Sequence, residues 1–185
     1  MRVISGIYKG KKILLPKDNK TRPLRDLVKE SIFNLITHSK KISLDVNNIN
    51  ILDLFCGTGS FGIECLSRGA GNVFFIENYI EALDILKKNL LDIDTNKFKI
   101  IEKDCFTSLP LTENYKNKFQ IIFIDPPYKE KKINVILEQI LEKKILNKNG
   151  VIIIHRHKRD NVILTKKFNI LDTRIYGLSK IIFGN

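Results

Sequence analysis

Ile49-Asn50-Ile51-Leu52-Asp53-Leu54-Phe55-Cys56-Gly57-Thr58-Gly59-Ser60-Phe61-Gly62 reads as a buried strand, a sharp glycine turn and the opening of a helix. Ile51, Leu52, Leu54 and Phe55 make the short apolar run of a central parallel strand, which is covered on both faces. Gly57-x-Gly59-x-x-Gly62 lets the backbone turn tightly and lets a ligand approach it. The helix that follows aims its free N–H groups and the positive end of its dipole at that ligand. A nucleotide-like cofactor site is expected here, with Asp53, Phe55, Gly57 and Gly59 among its residues. A glycine loop of this kind also fits NAD. Asp53 shifts the balance, because a carboxylate at the cofactor mouth suits a ligand with an amino group and a sulfonium better than a pyrophosphate.

Downstream, strand and helix patterns alternate. Val73 to Ile76 is the second strand and ends at Glu77, and Ala82, Leu83, Leu86 and Leu90 stripe the next helix. Phe98 to Ile101 is the third strand and leads to Asp104; Ile121 to Ile124 is the fourth and ends at Asp125. Ile133, Ile136, Leu137, Ile140 and Leu141 have the spacing of an amphipathic helix, and Val151 to Ile154 is the fifth strand. Such alternation predicts a parallel sheet with helices on both faces. Phe168 to Tyr176 and Ile181 to Phe183 lack a helix between them and predict an antiparallel hairpin at the sheet edge. The expected fold is α/β, Rossmann-like and doubly wound, with a mostly parallel seven-stranded sheet.

Upstream, residues 1–15 read as a β-hairpin with Val3-Ile4 and Ile13-Leu14 as strand cores. Pro23 suits the start of a helix whose stripe is Leu24, Leu27, Val28, Ile32, Leu35 and Ile36. Residues 38–48 read as a linker. Residues 1–40 are therefore a small basic extension and residues 41–185 the cofactor domain.

The chain has 185 residues and a formal net charge of +12. The charge is uneven: residues 1–30 carry a net +6, residues 31–150 a net +1 and residues 151–185 a net +5. Basic ends around a near-neutral middle point to a polyanionic partner, nucleic acid. Arg2, Lys9, Lys11, Lys12, Arg22, Arg25 and Lys29 are the candidate phosphate contacts. No apolar run reaches the roughly 18 residues of a membrane span, and no apolar segment follows Met1. Cys56, Cys65 and Cys105 are scattered and lack metal spacing, which fits reduced thiols in the cytoplasm. His155 and His157 flank Arg156 at the end of the fifth strand and read as ordinary surface or rim residues, with no metal.

Asp53, Glu77, Asp104 and Asp125 all fall in or after predicted strands, where doubly wound sheets bind ligands. Glu77 lies 20 residues after Gly57, where a carboxylate reaches ribose hydroxyls. Asp104 and the Cys105 backbone N–H suit the adenine amino group and ring nitrogen. Asp125-Pro126-Pro127-Tyr128 is the most specific signal. Its two prolines fix an extended turn. The Asp125 carboxylate and the Pro126 carbonyl accept the N–H bonds of an exocyclic amine, and Tyr128 stacks on the base. Together with the glycine loop, the tetrapeptide resembles class I S-adenosylmethionine (SAM) methyltransferases that act on exocyclic amines.

The whole chain resembles the RsmD family, the bacterial 16S rRNA guanine-N2 methyltransferases. The match runs through Arg2-Val3-Ile4-Ser5-Gly6, Lys9-Gly10-Lys11-Lys12, Arg22-Pro23, Asp26, Lys29-Glu30, Ile32-Phe33-Asn34, Asp53 to Gly59, Asp125 to Tyr128 and Tyr176-Gly177. It implies SAM as cofactor and methyl transfer to N2 of one guanine, which is turned out of its stack in an assembled or partly assembled small subunit. The enzyme is expected to act as a monomer. Leu24 stands where the family usually has Thr, and His155 where it usually has an acid. Other readings stay open: an N6-adenine methyltransferase on DNA or other RNA, a NAD-dependent oxidoreductase, or a non-catalytic RNA-binding module. A protein-glutamine methyltransferase would call for Asn in place of Asp125.

Overall fold

Residues 1–17, 24–109, 115 and 118–185 are described by the computed structural model. The opening apolar run forms β1 (Asn50–Leu54), the middle of the parallel part of the sheet. It pairs in parallel with β2 (Asn72–Glu77) on one side and β4 (Phe119–Ile124) on the other. β3 (Phe98–Glu102) lies outside β2, and β5 (Leu146–His157) lies outside β4. The chain then closes with β6 (Ile170–Tyr176) and β7 (Ser179–Gly184), both antiparallel to their neighbours. The seven strands run in the order β3-β2-β1-β4-β5-β7-β6. The order reverses between β1 and β4, which opens a crevice at their carboxyl ends.

Alternating side chains split the core in two. Ile51, Val73, Phe75, Ile121 and Phe123 point to one face, where α1 (Asp26–His38), α2 (Ser60–Ser67) and α3 (Ile80–Asn89) pack. Leu52, Leu54, Phe74, Ile76, Ile122 and Ile124 point to the other, covered by α4 (Cys105–Ser108) and α5 (Ile133–Glu142). On the first face Phe33 stacks on Phe61, and Phe61 on Phe123, with ring centroids 5.4 and 4.1 Å apart. This ring stack ties α1 through α2 to β4 directly beneath the crevice. Val28, Ile32, Phe33 and Ile36 bury the inner side of α1, whereas Leu27, counted in the predicted stripe, is exposed. Pro23 lies outside the described residues. Among those residues, no helix is long and apolar enough to cross a membrane.

The predicted N-terminal hairpin is a tighter structure than two full strands. One antiparallel bridge, Arg2 to Lys12, joins its arms. Val3 N–H donates to the Lys11 carbonyl, and Gly10 and Ile13 N–H to the carbonyls of Val3 and Met1, while other backbone groups turn to α2 and α3. Ile4 and Ser5 N–H donate to the Glu64 carboxylate at 2.7 and 3.0 Å. Ile7 N–H donates to the Ser67 carbonyl, and Leu14 N–H to Asn89 Oδ1. Val3 and Ile13 are buried in the same apolar cluster as α1 and α2.

The third motif glycine has a packing reason. A Cβ on Gly62 would lie 2.2 Å from the Phe75 ring and 2.8 Å from Val73. Only glycine lets α2 sit this close to β2. Gly62→Ala is expected to destabilise the fold by about 1–3 kcal/mol through overpacking. Urea unfolding of the two proteins measures it, and an unchanged midpoint would show that the helix shifts freely.

Candidate active site

A cavity of about 730 Å³ opens where β1, β2 and β4 end. Asp53, Phe55, Gly57, Glu77 and Asp104 line it together with Asp125, Pro126, Pro127 and Tyr128. Gly59 and Cys105, also read as cofactor residues, do not line it. Gly59 sits behind the loop as the N-cap of α2, with φ of 84°, and packs towards Leu86. The buried Cys105 thiol accepts the Phe55 N–H at 3.3 Å. Met1 and Leu24 form part of the wall, so the N-terminal segment contributes to the cavity, which the motif spacing did not reveal.

The loop is held open by its acids. Phe55 and Gly57 both adopt left-handed backbone, with φ of 55° and 53°. For phenylalanine this conformation is strained and persists because its surroundings impose it. Glu77 supplies part of that: Oε2 accepts the Gly57 N–H at 2.8 Å, and Oε1 accepts the Asn78 and Tyr79 N–H groups at 2.9 and 3.0 Å. A carboxylate has about four lone-pair sites, so Glu77 keeps room for a further hydroxyl donor. Asp104 caps α4 by accepting the Phe106 N–H at 2.7 Å, and its other oxygen accepts from the Asn78 amide at 3.1 Å.

Asp53 is 1% exposed and accepts the Gly62 N–H at 3.0 Å. Burial pushes its carboxyl well above the ordinary value; the Gly62 bond opposes this, and the charges of Asp125 and Glu77 add to it. The folded protein thus keeps a proton that the unfolded chain releases above about pH 4. Stability from this group therefore falls as pH rises from there through the raised value. Asp53→Asn, whose carbonyl still accepts from Gly62, is expected to raise the unfolding midpoint at pH 8 by roughly 3 °C, for about 1 kcal/mol. The gain is smaller at pH 5. Thermal melts at the two pH values check it, and equal gains would mean the charge is not the cause.

Among the described residues no lysine or arginine side chain lines the cavity, although five acids do: Asp53, Glu77, Asp104, Asp125 and Glu130. In a chain of net charge +12 that is a strong local inversion. Ionised carboxylates of this set repel a pyrophosphate, and the set as a whole offers acceptors to a ligand with hydroxyl and amino donors.

The Asp125-Pro126-Pro127-Tyr128 loop is braced from behind by β5. His155 is not a surface residue, as its sequence context suggested; it is 2% exposed. Its Nδ1 lies 2.9 Å from Asp125 Oδ1 and its Nε2 lies 2.9 Å from Ser179 Oγ. Arg156 is buried and donates to the carbonyls of Pro127, Tyr128 and Glu130 at 3.3, 3.2 and 2.6 Å. Its Nε also bonds Asp160. Burial acts to raise the Asp160 carboxyl, yet the Arg156 bond, the Val162 N–H and the charges of Arg156 and Lys180 together hold it below the ordinary value. His157 meets the Tyr128 ring edge-on, centroids 5.0 Å apart. The signal for these roles is strand pairing: Ile124 is the partner of Ile154, so Asp125 and His155 follow side by side.

The candidate phosphate contacts separate. Arg2, Lys9, Lys12 and Arg25 are exposed. Lys11 is half-buried and pairs with Asp92 at 2.9 Å. Arg22 lies outside the described residues. Lys29 is a correction. It is fully buried, 3.4 Å from Glu64, and donates to the Arg2 carbonyl at 2.7 Å and to Ser60 Oγ at 3.3 Å. It holds the N-terminal segment to α2 from within and has no path to a phosphate.

Comparison with known families matches residues 1–185 to the one described as Conserved hypothetical protein 95. The chain is 35% identical over 182 residues to YlbH of Bacillus subtilis, named "Putative rRNA methyltransferase", covering 97% of this chain and 95% of that one. It is 30% identical over 173 residues to a Buchnera aphidicola protein named "Ribosomal RNA small subunit methyltransferase D", covering 94% and 86%. Among solved structures, "Putative methyltransferase yhhF" from Escherichia coli has the same fold, with a TM-score of 0.81 over 100% of this chain and 96% of that one at 21% identity. A "putative methylase" from Haemophilus influenzae gives 0.78 at 26% identity, covering 100% and 97%. With the family matched from the first residue to the last and these relatives aligned nearly end to end, the chain belongs to the RsmD family of methyltransferases.

Proposed function

We propose that this protein methylates the exocyclic N2 amine of one guanine in 16S rRNA of the small ribosomal subunit, with SAM as donor. The observation that carries the reading is a cavity that, among the described residues, no lysine or arginine side chain lines, and that Asp53, Glu77 and Asp104 share with the Asp125-Pro126-Pro127-Tyr128 loop. When bound, SAM supplies an electrophilic methyl group and departs as a neutral thioether. Glu77 holds the ribose hydroxyls, Asp53 faces the cationic end, and Asp104 with the Cys105 N–H takes the adenine edge. Phe55, Gly57 and Gly59 shape the loop around it.

An exocyclic amine on a base is a weak nucleophile, because its lone pair is delocalised into the ring. Asp125 and the Pro126 carbonyl accept its two N–H bonds and free that lone pair, while Tyr128 stacks on the base. Orientation and fixed charge carry the rate, so no strong base is required. The base is turned out of its helix to reach the cavity. Residues 1–40 act as an RNA-binding extension on the methyltransferase core of residues 41–185. Arg2, Lys9, Lys12 and Arg25 contact phosphate, and Arg22 joins them. The enzyme acts as a monomer in the cytoplasm. The Buchnera relative's name supports the small subunit as substrate.

The test is transfer of labelled methyl from SAM to small subunits from a strain lacking this protein, followed by nucleoside analysis. N2-methylguanosine is expected. N6-methyladenine in DNA or other RNA would keep the chemistry and change the target. Salt-dependent RNA binding without SAM affinity would overturn the catalytic reading.

A further inference from the structure

Asp125 has a buried partner that the chemistry above does not use. A carboxylate only accepts hydrogen bonds, so His155 Nδ1, 2.9 Å from Asp125 Oδ1, carries the proton of that bond. In neutral imidazole Nε2 is then an acceptor, so Ser179 donates its Oγ hydrogen across the other 2.9 Å. The result is a directed chain, Ser179 O–H to His155 to Asp125, in which each link fixes the next. His155 and Ser179 are 2% and 7% exposed, so water does not compete for either bond. Each comes from a different strand: Asp125 follows β4, His155 is in β5 and Ser179 opens β7. The antiparallel edge hairpin thereby reaches the active site through one hydroxyl.

We propose that His155 is a positioning residue for methyl transfer, setting the plane of the Asp125 carboxylate before the target amine arrives, and that Ser179 fixes the His155 tautomer. The proposal rests on Asp125 being the acceptor for that amine. In the reaction the nitrogen lone pair forms the N–C bond and the C–S pair leaves on sulfur. The nitrogen gains a positive charge and loses one proton, which Asp125 or solvent takes. His155 does not take that proton; Nδ1 already holds one and Nε2 faces Ser179. Its contribution is orientation, and turnover should respond while cofactor binding does not.

Two arms test this. In the kinetic arm, His155→Ala is expected to lower kcat about 10–100-fold, the usual range for losing a residue that orients a catalytic group. KM for SAM should stay within about twofold, and His155→Asn, which keeps an N–H near Nδ1, should restore most of the rate. Thermal melts separate this from misfolding. In the second arm, ¹⁵N NMR of the cofactor-free protein should find His155 as the Nδ1–H tautomer, and Asp125→Ala should remove the hydrogen-bonded Nδ1 proton signal. Wild-type kcat in His155→Ala, no rescue by Asn, or an Nε2–H tautomer would each overturn the assignment. If the wild type transfers no methyl to small subunits, the functional reading fails, and the NMR arm still decides whether His155 holds Asp125.

Discussion

Asp125→Ala should lower methyl transfer by about a thousandfold or more while SAM affinity stays within about threefold of the wild type. Removing one preorganised group that meets developing charge costs on the order of 10²–10³ in rate, and this one also aligns the nucleophile. Asp125 follows β4, across β1 from β2 and β3, whose ends carry Glu77 and lead to Asp104, so its loss should leave those cofactor contacts in place. Single-turnover transfer of labelled methyl and calorimetric titration with SAM measure the two quantities. A variant with wild-type turnover would remove Asp125 from the chemistry, and one that fails to bind SAM would recast it as a cofactor ligand.

Glu64→Ala should cost about 3–5 kcal/mol of stability, the largest loss of any single substitution considered, because it strands a buried charge. Glu64 is fully buried in α2, and its carboxylate meets Lys29 at 3.4 Å, Arg68 at 2.9 Å and the Ile4 and Ser5 N–H groups. Burial lowers the Lys29 ammonium from its ordinary value, with Glu64 and Asp26 opposing. Without Glu64 only the more exposed Asp26 opposes that desolvation. The paired change Lys29→Met with Glu64→Leu should recover part of the loss, since it removes the stranded charge while the Ile4 and Ser5 N–H groups still lose their acceptor. Urea denaturation at neutral pH reads both variants. A loss under about 1 kcal/mol in Glu64→Ala would mean water reaches Lys29 after all.

The strands were legible because a parallel strand covered on both faces needs an unbroken apolar run, and Ile51 to Leu54, Ile121 to Ile124 and Val151 to Ile154 each show one apart from Asp53. Glu77 and Asp125 were legible for the same reason: each stands where such a run stops. What stayed hidden depends on distant pairing. Lys29 reads as one more cation of a basic segment, and only Glu64, 35 positions away, makes it a core residue. A clue was present, since Glu64 is the lone charged residue of the helix Ser60-Phe61-Gly62-Ile63-Glu64-Cys65-Leu66-Ser67. His155 was misjudged because its partners sit on β4 and β7, and strand order is not written in local pattern. The four-residue α4 has too few positions to show a stripe.

Arg156, fastened to the carbonyls of Pro127, Tyr128 and Glu130 in the tyrosine loop and to Asp160, bears on timing. A loose segment must lose about 1–2 kcal/mol of backbone entropy per residue when it is ordered. Here residues 127–130 lose it once, when the chain folds, and not at each encounter with RNA. An everted base therefore meets a finished receptor and need not hold open a slot while the wall settles. The interval for which a base stays out of its helix, and not any motion of this loop, becomes the clock for capture.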